Sequence, residues 1–231
     1  MGYEYLIAGL EDIALGQKPK LSIQQLIDLL HEQLTESDFN LILLLQKTNN
    51  DPSLIQLFQE DSVQDRFHET TLSENDFRTQ LLYEEGRKSK NKFVREWFEF
   101  NLNLNNVLAA AICQKHKFDI DKVIVGNNEV AQTLRKNGVG KNSNLAVLLP
   151  ELKEIIALTD IDDLLQREKH IDALRWQWIE DNALFNYFDT QAVIAYYLKA
   201  TILHRWDELS KEKGEEVFRN LINDMKKDIK F

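Results

Sequence analysis

A single cysteine, Cys113, in 231 residues rules out an intramolecular disulfide and gives no reason to expect an oxidising compartment, so the cytoplasm is the expected location. Only 8 glycines and 3 prolines punctuate the chain, too few for the closely spaced turns of a sandwich or barrel. Long apolar runs are missing too. The longest strictly aliphatic stretch is Leu41 to Leu45, against the roughly 20 residues that cross a bilayer, and no basic region precedes the apolar Tyr5 to Leu10, so neither a membrane span nor a signal peptide is expected. Positive charge is also in deficit. The formal net charge of −10 argues against nucleic acid or an anionic membrane as partner and favours basic partners or plain solubility. What is present, 43% hydrophobic and 29% charged residues, is ordinary for a globular chain of one large or two small domains.

Periodicity then points to an all-α fold of long antiparallel helices in one or two helical subdomains. The organising stretch runs from Asp160 to Trp206. Leu164, Ile171, Trp178 and Phe185 recur every seven residues and predict an apolar seam, while Val193, Ile194, Tyr197, Leu198, Thr201, Ile202 and Trp206 predict a second helix after a break at 186–189. Together they predict an αα-hairpin. Upstream, Ser22 reads as the N-cap of a helix carrying Leu26, Ile27 and Leu30, and a second short helix starts near Ser37. Residues 53–76 read as a loop-rich insert with a helical turn or two, and 86–92 as a basic, flexible stretch. A long helix over about 90–117 follows, with Phe93, Trp97, Phe100, Leu104, Val107 and Ala111 on one stripe. Its cluster of Asn101, Asn103, Asn105 and Asn106 is unfavourable for a helix, so tertiary packing must hold it. Residues 120–125 read as briefly extended, Asn127 or Asn128 as the cap of a short helix, 138–144 as a hinge between subdomains 1–137 and 138–231, 148–158 as another short helix, and Val217 to Met225 as a last amphipathic one.

Motifs for chemistry are sparse. Gly138-Val139-Gly140-Lys141 lacks the first glycine of a phosphate loop and the hydroxyl after its lysine, and it follows a helix where that loop follows a strand, so it reads as a helix C-cap. The five histidines are scattered, Asp65-x-x-His68 is the one approach to a di-metal motif, and no metal or other cofactor is expected. Cys113 reads as a buried, inert thiol, and no serine sits in a G-x-S-x-G setting. One polar pattern stands out. Glu168, Arg175 and Asn182 recur by sevens on the C-terminal helix, and Glu96, Glu99 and Asn103 lie on the long one. They read as a buried seam that fixes helix register, with a pocket as the alternative: Glu96, Glu168 and Arg175 acting on a small anionic substrate or a metal. Trp97, Trp176 and Trp206 read as core or interface aromatics.

The opening YEYLIAGLEDIAL, the long helix FVREWFEFNLNLNNVLAAA, the segment VIVGNNEVAQTLRKN and the hairpin REKHIDALRWQWIEDNALFNYFDTQAVIAYYLKATILHRW together resemble an uncharacterised bacterial family encoded with V-type ATPase genes. That family in turn resembles, more loosely, the V/A-type ATPase central-stalk subunit called C or d. The resemblance implies a non-enzymatic helical socket, peripheral to the inner membrane, with the ATPase axle and membrane ring subunits as partners. The larger relative is built from three similar helical domains, and 231 residues allow about two. A generic helical adaptor is the third reading.

Overall fold

A computed structural model describes residues 2–140, 144–185 and 187–208. Among them the fold is all-α, with twelve α-helices, one short 3-10 turn and no strand. No described helix is long and apolar enough to cross a membrane. The helices are α1 (Glu4–Gly9), α2 (Ile23–Gln33), α3 (Glu36–Gln46), α4 (Pro52–Phe58), α5 (Asp61–His68), α6 (Glu74–Arg87), α7 (Lys92–His116), α8 (Glu129–Asn137), α9 (Leu145–Leu148), α10 (Leu152–Leu158), α11 (Leu164–Ala183) and α12 (Thr190–Glu208). The helix expected at 217–225 lies outside the described residues, as do 141–143 of the expected hinge and Asn186 in the break of the expected hairpin.

Two compact units result. One comprises residues 1–39 and 176–231, the other 40–175, so the divisions fall inside α3 and α11, and the glycine-containing stretch at 138–144 lies within the second unit.

In the first unit the Ser22 cap forms as its sequence dictates, with Ser22 Oγ accepting from Gln25 N–H and Gln25 Oε1 accepting from Ser22 N–H. This fixes the start of α2, which buries Leu26 and Leu30 and packs on α12. The opening segment, whose pattern fits either an extended stretch or a first helical turn, is helical from Glu4: Tyr3 is buried just before α1, its hydroxyl donating to Asp38 at 2.5 Å and its N–H to the Phe188 carbonyl at 2.6 Å.

The second unit is built on α7, which packs against α6, α8 and α10 and buries a dozen residues, from Phe93 to Cys113. Residues 53–76 are not a loop-rich insert. Asp51 accepts from Ser53 N–H and Pro52 sits at the start of α4, while Ser73 caps α6. Leu54, Phe58 and Val63 then meet Leu72, Phe77 and Leu81 in a buried cluster whose Phe58 and Phe77 rings lie edge to face. The polar residues that hid this pattern occupy the outer faces of helices only seven and eight residues long.

Nor is 86–92 a flexible stretch. Gly86 and Arg87 close α6, and Asn91 caps α7, its Oδ1 accepting from Val94 N–H at 3.1 Å. Gly86 is buried because a Cβ there would land in the Phe98 ring, so its missing side chain is what lets α6 and α7 approach. Gly86→Ala gains about 1 kcal/mol of helix propensity. Overpacking typically costs more, so a net loss of about 1–2 kcal/mol is expected, read as an earlier urea midpoint at unchanged slope.

The seven-residue seam of α11 forms only in part. Ile171 is buried and Trp178 half-buried, but Leu164 and Phe185 are exposed, and the buried positions are Ile171, Asp172, Trp176 and Ile179. Leu164 is the first residue of α11 and Phe185 lies beyond its last, Ala183, so the two ends of the seven-residue line fall at and past the ends of the helix.

Candidate functional site

The most elaborate polar arrangement lies in the second unit, where α6, α7 and α8 surround residues 123–128. A 3-10 turn at Ile120–Lys122 replaces the extended segment expected there, with Asp119 capping it. The chain then bends at Gly126, whose φ of +78° favours glycine and whose Cα faces Leu102 closely. This bend turns the backbone groups of 124–126 inward, where they need partners.

Each helix supplies one. Asn106 of α7, 2% exposed, accepts from Val125 N–H at 2.9 Å and donates to the Val125 carbonyl at 2.8 Å. Buried Gln80 of α6 accepts from Gly126 N–H at 3.2 Å and donates to Glu84 at 3.1 Å. Arg135 of α8 donates to the carbonyls of Ile124 and Gly126, both at 2.8 Å. Burial pulls the guanidinium below its ordinary pKa, with Asp121 opposing, and it has no carboxylate bound directly in this arrangement. Of the two residues expected to cap α8, Asn127 and Asn128, it is Asn128 that does so, accepting from Ala131 N–H at 2.9 Å, and its amide donates to Asn103 at 2.7 Å and to Glu99. Glu99 also pairs with Arg87.

Beside this network lies an open depression of about 460 Å³, walled by Arg66, Thr71, Gln80, Asp121, Asn127 and Arg135, among others. Both signs of charge occur in it and the cations are engaged. Arg66 Nη2 reaches both Glu84 oxygens at 2.8 and 2.9 Å, and Thr71 donates to the Asp121 carbonyl at 2.8 Å. The contacts of Asn106, Gln80 and Arg135 fix the bend at 124–126.

A second polar group joins α7 and the first half of α11. Arg175 donates from Nε to Asn101 at 2.9 Å, from Nη1 to Asp172 at 2.9 Å and from Nη2 to Asn105 at 3.5 Å. Asn105 in turn donates to the Tyr83 hydroxyl at 2.7 Å, and burial pushes the Tyr83 phenol up while Arg175 opposes the shift.

The six seam residues therefore divide among several partners. Glu99 and Asn103 meet at Asn128, Arg175 belongs to the second group, and Glu96 pairs with Lys92 on its own helix at 3.6 Å. Glu168 is half-buried two turns before Arg175. Of the six only Asn103 is buried; Glu96, Glu99, Glu168 and Arg175 are half-buried, and Asn182 is exposed and bonds back to the Trp178 carbonyl at 2.9 Å, because α11 is near its end there. The depression contains none of the six. Of the tryptophans, Trp97 is half-buried at 6.2 Å from the Phe100 ring and Trp206 half-buried beneath Arg205. Trp176 is core, 5% exposed, donating to Glu180 at 3.0 Å with Lys199 above its ring.

Gln80, Asn106, Asn128, Arg135 and Asp172 are the residues that sequence reasoning did not place in a site. The crowding of asparagines on α7 was the available signal, since a buried helical asparagine implies a distant partner. No group of three or more metal-ligating side chains occurs among the described residues. Cys113 is buried, and burial pushes its thiol up, away from the thiolate.

A protein-family profile, "Protein of unknown function (DUF2764)", matches residues 66–229, more than half of the chain. The chain belongs to the DUF2764 family. No curated protein and no solved structure matches it. Both polar groups of this DUF2764 chain lie wholly within the matched span, whereas α1 to α4 precede it.

Proposed function

We propose that this DUF2764 protein is a non-enzymatic coupling or assembly subunit of a V-type rotary ATPase, cytoplasmic and peripheral to the membrane, linking the central axle to the membrane rotor ring. Two lines support the reading. The sequence resemblance to a family encoded with V-type ATPase genes points to that complex, and described residues that are all-helical and contain no spanning helix are compatible with a socket seated on other subunits.

The observation that carries the non-enzymatic part is where the polar groups are spent. Asn106, Gln80, Arg135, Asn128 and Arg175 use donors and acceptors on backbone groups or on neighbouring side chains such as Glu84, Asn103 and Asn101. A buried group satisfied in this way fixes helix and loop geometry, and recruiting it for a substrate would require breaking the contact.

The test is affinity isolation of the tagged chain at native expression from gently solubilised membranes. Axle and ring subunits should co-purify in fixed proportion. Their absence, with the tagged chain intact, overturns the reading.

A further inference from the structure

The expected interface tryptophans are half-buried or core, yet the first unit exposes other aromatics. The turn between α11 and α12 exposes Leu184, Phe185, Tyr187 and Phe188, with Phe185 at 85% and Tyr187 at 67%. Tyr5 of α1 is 96% exposed, and α1 is held to this turn by the bond from Tyr3 N–H to the Phe188 carbonyl. An open depression of about 310 Å³, walled by Tyr3, Glu4, Tyr5, Leu6, Leu34 and Thr35, lies alongside. Large rings clustered in water are costly unless they are covered, and aromatic anchors dominate binding surfaces.

The two ends of the turn are tied. Asp189 accepts from Ala192 N–H at 3.0 Å to cap α12, and Gln191 donates to the Asn182 carbonyl at 2.6 Å.

Charge selects the partner. Residues 2–17 and 176–198 contain Glu4, Glu11, Asp12, Glu180, Asp181 and Asp189 but no lysine or arginine. Lys20 pairs with Glu11 and Lys199 with Glu180, while Glu4 and Asp181 have no cation within ion-pair distance among the described residues. The field is felt nearby: burial first, then Glu11 and Asp12, push the Tyr196 phenol up to about 12. A second copy would bring two acidic rims together, and an anionic lipid surface would be repelled.

We propose that the α11–α12 turn, with Tyr5, is a docking surface for a partner helix that carries apolar residues along one side and lysine or arginine beside them. This surface requires no connection to an ATPase. Complementary charge steers such a helix in, and the aromatic rings hold it.

The test titrates the full chain against a labelled amphipathic peptide of leucine and lysine, with a leucine and glutamate peptide of the same pattern as control. The lysine peptide should bind, and the glutamate peptide should not. F185S/Y187S should weaken binding by about tenfold, the loss expected when an anchor is removed. L164S/L165S, which also removes exposed leucines, should leave binding unchanged, and E4Q/D181N should weaken it and flatten its salt dependence. Thermal melts check that the variants fold, and Y187S alone replaces the double variant if that one melts early. Equal binding of both peptides, no binding, or an affinity indifferent to F185S/Y187S overturns the proposal. So does a dimer that F185S/Y187S dissociates, or attachment to anionic vesicles through these residues.

Discussion

Arg175→Ala is expected to lower stability by about 3 kcal/mol, the lower end of what breaking a buried ion pair costs. Asp172 is 1% exposed and faces Arg175 Nη1 at 2.9 Å, so the alanine variant keeps a buried carboxylate while removing the cation that faces it. The same change deprives Asn101 and Asn105 of a donor. The Arg175 side chain retains some contact with water, which holds the estimate down. For a chain of this size the loss corresponds to about 6–12 °C in Tm, measurable by thermal melting. Lysine keeps the charge but not the fork, so Arg175→Lys should recover only part of it. If Arg175 instead served a substrate, its removal would leave the melting temperature unchanged or raise it, as commonly happens when a functional group held at a cost is deleted. Arg175→Ala therefore separates the two readings of the polar seam without knowledge of any ligand.

Asn106→Leu is expected to cost about 2–6 kcal/mol, because leucine fills nearly the same space but strands both the N–H and the carbonyl of Val125 in the interior, each at about 1–3 kcal/mol. Asn106→Asp separates the two halves of the interaction. Its carboxylate still accepts from Val125 N–H but faces the Val125 carbonyl with an acceptor, so it should also destabilise. Urea unfolding gives the magnitude, and an unchanged slope in the leucine variant identifies a native-state loss. A change below about 1 kcal/mol, no more than one ordinary hydrogen bond, would mean that water reaches residues 124–126 and that the network does not hold the bend.

Features that depend on neighbours in sequence were legible. Ser22 and Asn128 announce their helices through a side chain that bonds three residues ahead, and α7 announces itself through a long apolar stripe. The helical class and the presence of helices α11 and α12 follow from the same kind of signal. What depends on distant partners was not. Asn106 meets Val125 across 19 residues and Gln80 meets Gly126 across 46, and no local pattern specifies either pairing. Gly86 shows the converse failure: glycine in a basic stretch looks like a hinge until the ring of Phe98 is seen to occupy the space of its missing side chain. Phe185 was drawn into the apolar seam by its spacing, although it lies beyond the last residue of α11.

Three consecutive peptide units, 124 to 126, take their orientation from side chains on three different helices. The instructions for that bend are therefore written mostly outside it, in Gln80, Asn106 and Arg135, with Gly126 merely permitting it. The letters VIVGNN are not a portable motif: transplanted to another scaffold without those three residues, they would have no reason to keep this shape.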